Sequence, residues 1–308
     1  MSKYLNPKVD LTFKKVFGEH PNLVKSLLNA LLPLPEGMTI EKVEYLTSEN
    51  VPENPAKKYS IVDVRCTDNK GRGFIVEMQN YWNKEFFSRT LFSAASMYSK
   101  QLAKCNPFEK LKEVYALALV NDEAFDYEGD NGYMQEFYII NKKHTTDIHR
   151  DLSLIFIELK KYKPLDRGSR AIKELWLRFL TEINEQTETV DAVMLENPEI
   201  SQALEIVERS AYSDGDLYAY EDYLLELMTQ HNSVESARSE GRAEGRAEGE
   251  KIGIEKGIEK GIEQGRTEQL VESIKNLMSS GFDFDRAVEA LKVPADQIAE
   301  LRRLIFNN

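Results

Sequence analysis

The amino-acid sequence predicts an α/β fold with an all-α C-terminal extension. Apolar residues recur at helical spacing across residues 10–32. Residues 59–67 and 74–79 are rich in β-branched and apolar side chains, and the turn-forming segment Asp-Asn-Lys-Gly-Arg-Gly separates them, which predicts a β-hairpin. Residues 114–120 are almost entirely apolar, as is typical of a strand buried on both faces of a sheet.

The remaining apolar patterns complete the order of the elements. Residues 40–46 read as a strand, and residues 84–104 return to helical spacing. Residues 137–140 and 152–159 predict further strands, whereas residues 170–230 are helical in character throughout. The first part of the chain is therefore expected to follow the order α-β-β-β-α-β, with a central mixed sheet flanked by helices.

The C-terminal part has a glycine at every fourth position. These glycines are Gly241, Gly245, Gly249, Gly253, Gly257, Gly261 and Gly265. Each glycine costs a helix roughly 1 kcal/mol relative to alanine, so the repeat is either a helix stabilised by packing or a flexible linker, and we favour the helix. We predict a main domain over residues 1–232 with a helical second half, a spacer over 233–268 and a small helical bundle over 269–308.

The end of the chain predicts three amphipathic helices, over residues 270–278, 284–291 and 294–305. Residues 281–301 have the size and turn placement of a helix-turn-helix, a pattern that protein-binding bundles share. The acidic residues of this segment favour contact with protein over contact with DNA. Together with the glycine repeat, the segment predicts that the chain forms a homo-oligomer.

Composition and charge limit the classes of function. No apolar stretch is long enough to cross a bilayer, and no apolar segment follows the first lysines, so we expect a cytoplasmic protein with no membrane partner. The net charge of −12 is unevenly distributed. Residues 1–110 carry 16 Lys+Arg against 12 Asp+Glu, and the other 198 residues carry 24 against 40. The first part can therefore present a phosphate-binding face.

The hairpin places two acidic residues opposite each other. If its turn centres on Lys70, Asp63 pairs with Glu77, and period-two alternation puts both on one face. Two facing carboxylates repel each other, and a divalent cation such as Mg²⁺ removes that repulsion. Alternatively, each acid lies on a solvated face or pairs with a nearby arginine, Arg65 or Arg89.

The motifs around this pair resemble those of the PD-(D/E)XK nuclease superfamily. The resemblance rests on residues 62–63, Val-Asp, on their spacing to residues 77–79, Glu-Met-Gln, and on the order of the elements. Residues 6–10, Asn-Pro-Lys-Val-Asp, with residues 13–18, resemble more narrowly its recombination-promoting nuclease (Rpn) branch, also described as PD-(D/E)XK nuclease family transposases. The resemblance implies a restriction-endonuclease-like core.

Carried over to this sequence, the resemblance implies a catalytic set of four residues. Asp63 and Glu77 match the two motif acids that bind the metal, and Asp10 matches an acid on the first helix, where it could equally favour the helix N-terminus. Gln79 stands where the motif name has lysine, so it can orient a water by hydrogen bonding but carries no charge. Val62 replaces the motif proline, which contacts no substrate.

The implied activity is Mg²⁺-dependent hydrolysis of phosphodiester bonds in DNA, associated with recombination or mobile elements. Four basic residues are candidates for contacts with the phosphate backbone: Lys14, Lys15, Lys58 and Arg89. Tyr81 and Trp82 follow the motif and either stack on a nucleotide or pack in the core. The alternative function, favoured by Gln79 and by the acidic remainder, is a DNA-binding or assembly protein that keeps the fold without cleaving.

Overall fold

The computed structural model describes residues 3–46, 62–102, 107–164 and 166–306, with Val62 and Asp63 described by their backbone alone. The helices are α1 (Asp10–Phe13, continued by a π-helical turn at Lys14–Gly18), α2 (Pro21–Leu31), α3 (Lys84–Lys100), α4 (Ile172–Glu182), α5 (Ala192–Glu196), α6 (Pro198–Ile206), α7 (Asp214–Ser279), α8 (Phe284–Ala290) and α9 (Ala295–Phe306). The strands are β1 (Val43–Tyr45), β2 (Val62–Asp68), β3 (Gly73–Gln79), β4 (Val114–Val120), β5 (Met134–Asn141) and β6 (His144–Glu158). The chain divides into two compact units between His231 and Asn232.

The strands of the first unit form one mixed sheet in the order β1-β2-β3-β4-β6-β5. The pairs β1/β2, β2/β3 and β5/β6 are antiparallel, whereas β3/β4 and β4/β6 are parallel. The central strand β4 is buried along its whole length, as its apolar sequence predicts. The predicted order α-β-β-β-α-β and the mixed sheet flanked by helices are confirmed.

The two faces of β3 belong to different hydrophobic clusters. Val76 and Met78 pack in the larger cluster, which includes residues of α2 and α4, whereas Ile75 packs with Phe86 of α3. Side chains alternate between the faces of a strand, so Glu77 shares the face of Ile75. The odd-numbered positions of β3 therefore lie under α3.

A buried ion pair closes the turn between β2 and β3. Oδ1 of Asp68 accepts hydrogen bonds from the backbone N–H groups of Lys70 at 3.0 Å and Arg72 at 2.9 Å. Oδ2 of Asp68 accepts from Nε of Arg72 at 2.7 Å and lies 2.6 Å from its Nη2. Gly71 adopts φ 80° inside this turn, a conformation that favours glycine. The turn fixes how the two strands are aligned.

Several predicted elements differ from the structure in their bounds. The strands predicted over 137–140 and 152–159 are both longer, with β5 over Met134–Asn141 and β6 over His144–Glu158. The first strand covers only residues 43–45 rather than 40–46, because the side chain of Asn29 holds the backbone of Ile40 through hydrogen bonds of 2.8 and 2.9 Å. The prediction that residues 170–230 are helical throughout is wrong. At Asn184 the chain turns instead, because Oδ1 of this residue accepts from the backbone N–H of Gln186 and its backbone N–H donates to Oγ1 of Thr187. The helix predicted over 84–104 ends at Lys100.

The second unit contains the glycine repeat within α7, so the repeat is helical. Residues 270–278 are the end of this same helix, and the prediction that they form a separate one is wrong. A small core packs the end of α7 against α8 and α9, built around Ile274, Phe284 and Leu301. Across the described ranges, no helix is both long and apolar enough to span a membrane.

Replacing Asp68 with alanine is expected to destabilise the first unit by about 3–5 kcal/mol, because it leaves the Arg72 guanidinium buried without its carboxylate. Urea unfolding followed by tryptophan fluorescence measures this loss, since both tryptophans lie in the first unit. Lys70→Ala, at the exposed position of the same turn, is the control and should change stability by less than about 0.5 kcal/mol. Equal losses in both variants would contradict the role given to the ion pair.

Candidate functional site

The pairing of β2 with β3 makes Asp63 and Glu77 Cα partners. This is the alignment that a turn centred on Lys70 predicts. Glu77 is 1% exposed, and on its other side β3 pairs it with Ala118 of β4. Cα partners in an antiparallel pair share a face of the sheet, so position 63 lies on the same face as Glu77. The backbone thus brings the two motif acids to one place.

Helix α3 contacts the carboxylate of Glu77 through a buried hydroxyl group. Oγ1 of Thr90 lies 3.3 Å from Oε2 of Glu77 and 3.0 Å from the carbonyl oxygen of Phe86. Thr90 is fully buried. A buried carboxylate without polar contacts is costly, so this hydrogen bond helps α3 to hold the acid in place under the helix.

The side-chain amide of Gln79 is oriented by two hydrogen bonds, one at its oxygen and one at its nitrogen. Its Oε1 accepts from Nη2 of Arg89 at 2.8 Å, and its Nε2 donates to the carbonyl oxygen of Tyr81 at 2.8 Å. An arginine can only donate and a carbonyl oxygen can only accept, so the two partners leave a single orientation of the amide. Gln79 therefore connects the end of β3 to Arg89 on α3.

A cavity of about 250 Å³ opens beside this network. One wall comes from the end of β3 and from α3, including Gln79 and Arg89, and the other comes from the first part of α7, including Tyr223, Glu226 and Gln230. Both walls belong to the first unit. The cavity is lined by amide, phenol and carboxylate groups together with one guanidinium group, as a site for a polar ligand requires.

The other predicted residues lie in different surroundings. Asp10 is the first residue of α1, and its carboxylate lies 2.9 Å from Nζ of Lys14. Nζ of Lys15 lies 3.9 Å from the ring centre of Tyr212 and 3.7 Å from Asp216. Lys14 and Lys15 thus make intramolecular contacts and are not among the residues that line the cavity.

The last two residues of the predicted basic set are Lys58 and Arg89. Lys58 falls outside the described residues. Arg89 does line the cavity, and it is the one member of the predicted basic set that the described part of the chain brings there.

Trp82 and Tyr81 take different places. The ring of Trp82 packs against Phe125 and Phe156 at centroid distances of 5.0 and 6.0 Å, so of the two roles predicted for Trp82 the structure supports core packing. Tyr81 lines the cavity, and its ring stacks on His231 at 5.3 Å. Burial and the nearby charge of Asp122 raise the pKa of Tyr81, so its hydroxyl group is protonated at neutral pH.

Sequence reasoning missed the cavity residues of α7. Tyr223 contacts the end of β3 through the side chain of Asn80, and burial followed by the charge of Asp10 raises its pKa to about 12, although the hydrogen bond with Asn80 opposes the rise. Asp10 therefore lies near the α7 wall. No motif marks these positions, because they are distant in sequence from residues 63–79. Asn80, which Tyr223 contacts, does have a recognisable sequence context, because it is a polar residue directly after a strand.

Lys8 of the amino-terminal motif is buried behind the site. Its Nζ donates to the carbonyl oxygen of Leu180 at 2.9 Å, and its own carbonyl oxygen accepts from the side chain of Asn80 at 3.3 Å. Burial lowers the pKa of Lys8 to about 8, although the charge of Glu185 opposes the shift. The motif thus fastens the start of the chain to the end of β3.

A family model described as PD-(D/E)XK nuclease family transposase matches residues 7–237 of the chain. The chain belongs to this family. The predicted superfamily is therefore confirmed, and the sheet with its flanking helices is a restriction-endonuclease-like core. Members are generally nucleases associated with mobile elements, which act on DNA and typically use divalent metal ions. No curated protein and no solved structure matches the chain significantly.

The matched region extends past the β-hairpin to both walls of the cavity. It begins before Asp10 and ends after Gln230. The part of α7 that faces the end of β3 therefore belongs to the PD-(D/E)XK region of the chain. The glycine repeat, from Gly241 onward, lies beyond the match.

The lowered pKa of Lys8 predicts a pH dependence of stability. Below about pH 8 the amine is protonated in both the folded and the unfolded chain. Between pH 8 and 10 the folded chain releases this proton while the unfolded chain keeps it, so the contribution of Lys8 to stability rises with pH, by about 1 kcal/mol per pH unit. The measurement is the free energy of unfolding of the natural chain and of Lys8→Met at each pH. The difference between the two should be constant from pH 6 to 7.5 and should rise from pH 8 to 10. Parallel profiles above pH 8 would contradict it.

Proposed function

We propose that the chain hydrolyses phosphodiester bonds in DNA with a divalent cation, Mg²⁺, held by Asp63 and Glu77. The observation that supports this proposal is the pairing of the two acids across β2 and β3. A polar cavity opens at the end of β3, where Gln79 lines it and the buried Glu77 does not. The family of the chain supports the same reaction and the same substrate. Recombination of mobile elements is the process in which we expect this activity to operate.

The proposed donor atoms fit a magnesium ion. Hard cations such as Mg²⁺ prefer oxygen donors and are often held by one or two carboxylates together with a phosphate of the substrate. Among the side chains that the structure describes, which exclude that of Asp63, no group of three or more His, Cys, Asp or Glu residues is placed to hold a metal. A site of two carboxylates completed by substrate agrees with this finding. When bound there, Mg²⁺ would polarise the scissile phosphate and make a water molecule more acidic.

The residues around the acids would orient the substrate. Thr90 contacts Oε2 of Glu77 at 3.3 Å, which would help to orient the carboxylate. Gln79 has one N–H and one oxygen lone pair beyond its two hydrogen bonds, and these would position the attacking water. Asp10 would act as an additional acid from α1, close to the α7 wall.

Phosphate contacts outside the cavity would come from lysines. Lys14 and Lys15 lie at the amino-terminal end of the first unit, where they now contact Asp10 and Asp216. DNA would compete with these partly exposed ion pairs, which contribute little to stability. Lys58 remains a candidate from the sequence alone. Contacts of this kind position a duplex without reading its sequence.

We further propose that the second unit associates with a second copy of the chain through the glycine-rich part of α7. Ile254, Ile258 and Ile262 recur every four residues and are 56%, 58% and 54% exposed. An added Cβ at Gly257 or Gly261 would meet nothing within 4 Å. A row of exposed isoleucines beside glycines lets a partner helix approach closely, and burying it would compensate for the poor helix propensity of glycine.

The charges beside this row favour a parallel arrangement of the two copies. At about 100° per residue, the Gly and Ile positions form one surface, with Lys256 and Lys260 along one edge and Glu255 and Glu259 along the other. In a parallel pair, the basic edge of each helix faces the acidic edge of its partner. In an antiparallel pair, like charges would meet. The second copy is therefore expected to run in the same direction.

Cleavage of plasmid DNA tests the proposed reaction. The natural chain should cut DNA in Mg²⁺ and not in a chelator, and Asp63→Asn or Glu77→Gln should lower the rate by at least about a hundredfold, because each removes a charged metal ligand. Mg²⁺ should also raise the melting temperature of the natural chain but not that of Asp63→Asn.

The control for the cleavage experiment is Asp147→Asn, the same substitution at an exposed position of β6. It should cut DNA at the rate of the natural chain. If no divalent ion supports cutting but DNA still binds, the chain is a DNA-binding or assembly protein that keeps the nuclease fold. Cutting by Asp63→Asn at the natural rate would also overturn the proposed site.

The association of two copies is tested by measuring mass in solution. The natural chain should sediment as a dimer or larger oligomer, and Ile258→Ser should shift it toward the monomer. Ile252→Ser is the matched control, because Ile252 is 43% exposed on the other side of the same helix. A monomeric natural chain, or equal effects of the two substitutions, would contradict the proposed surface.

A further inference from the structure

We infer that Arg89 supplies the positive charge that the motif lysine would supply, and that Gln79 positions it toward the scissile phosphate. This inference rests on the proposed phosphodiester cleavage, which it deepens by assigning the group that binds the substrate's charge. In the motif that names the family the charge lies on β3, whereas here it lies on α3.

The contacts of Arg89 leave its charge available to a ligand. Its Nη2 donates to Oε1 of Gln79 at 2.8 Å, and its guanidinium lies 4.8 Å from the ring centre of Phe86. Nε of Arg89 is buried and has no hydrogen-bond partner among the described residues. No carboxylate of the described side chains forms an ion pair with it. A neutral amide and an aromatic face do not neutralise the guanidinium, and the carboxylate that shares the cavity with it is that of Glu226.

The residue at position 79 suits an arginine at position 89. A lysine at 79 would place a second cation against the guanidinium, and a glutamate would neutralise it. Glutamine accepts a hydrogen bond and carries no charge, so it orients Arg89 without altering its electrostatic effect. The departure from the motif at position 79 therefore follows from the position of the cation.

The cation also lies at the correct place relative to the acids. Thr90 contacts Glu77 and its neighbour Arg89 contacts Gln79, so two consecutive residues of α3 reach two alternate residues of β3. Positions 77 and 79 are roughly 7 Å apart along a strand, so a phosphate oxygen bound between them would be within reach of both Glu77 and Arg89. Arg89 and Gln79 line the cavity at the end of β3, and Glu77 lies two positions before Gln79 on the same strand.

Lys84 is the other cation of α3 close to the motif, and the structure favours Arg89 over it. Lys84 is the first residue of the helix and is exposed. It is not among the residues that line the cavity, whereas Arg89 is. A guanidinium also binds two phosphate oxygens at once in a fixed geometry, which an ammonium group cannot do.

Relocating the charge tests the inference. Arg89→Gln should lower kcat by about a hundredfold to a thousandfold, as losing one preorganised donor to a developing charge does. Gln79→Lys alone should also lower kcat, because its ammonium repels Arg89. The double variant Gln79→Lys with Arg89→Gln returns the cation to β3 and should recover at least tenfold over Arg89→Gln. Arg150→Gln on β6 is the control and should leave kcat unchanged.

A binding measurement distinguishes failure of the inference from failure of the proposed function. The affinity for a short DNA duplex is measured in a chelator at several salt concentrations. If Arg89 contacts phosphate, Arg89→Gln should reduce the slope of log affinity against log salt by about 1, whereas Arg150→Gln should not.

The cleavage and binding results distinguish failure of the role given to Arg89 from failure of the proposed function. If the natural chain cleaves and Arg89→Gln cleaves equally well, the inference is wrong and the proposed function stands. A folded double variant no more active than Arg89→Gln would likewise overturn it. If the natural chain does not cleave, the proposed function fails, and an unchanged salt slope in Arg89→Gln would then also refute the contact between Arg89 and phosphate.

Discussion

The alignment of β2 with β3 is the constraint on which the candidate site depends. The buried pair of Asp68 and Arg72 closes the turn, and the alignment then makes Asp63 the partner of Glu77. A shift by one residue would exchange the faces of every side chain along β2. Because β3 is also paired in parallel with β4 along its whole length, the hairpin is held from both sides, and the place of the two acids is determined by backbone pairing.

The site is built from two paired strands, one helix and one wall that is distant in sequence. The strands β2 and β3 bring the acids, and α3 contacts β3 through Thr90, which reaches Glu77, and through Arg89, which reaches Gln79. The wall of α7 adds Tyr223 and Glu226 to the cavity. The strands supply two carboxylates, α3 supplies a cation, and α7 supplies a phenol, an amide and a further carboxylate. This division explains why the motif region of the chain contains only part of the site.

Much of the fold could be predicted from the sequence, because local patterns determine it. The hairpin alignment followed from the period of a strand and the length of a turn, and β4 followed from its unbroken apolar sequence. The bounds of β1 could not be predicted, since they depend on a contact between Asn29 and Ile40. The role of Trp82 stayed open for the same reason, because Phe125 and Phe156 reach it from other parts of the chain.

The acids and the α7 wall are far apart along the chain, so they fold in a definite order. The hairpin joins residues close in sequence, whereas Tyr223 follows far behind them. Domains tend to fold from the amino terminus as the chain is synthesised, and local contacts form before distant ones. A nascent chain that has not yet reached residue 220 therefore already contains the acid pair but lacks one side of the enclosure. The cavity is completed only after residues 223–230 have been synthesised.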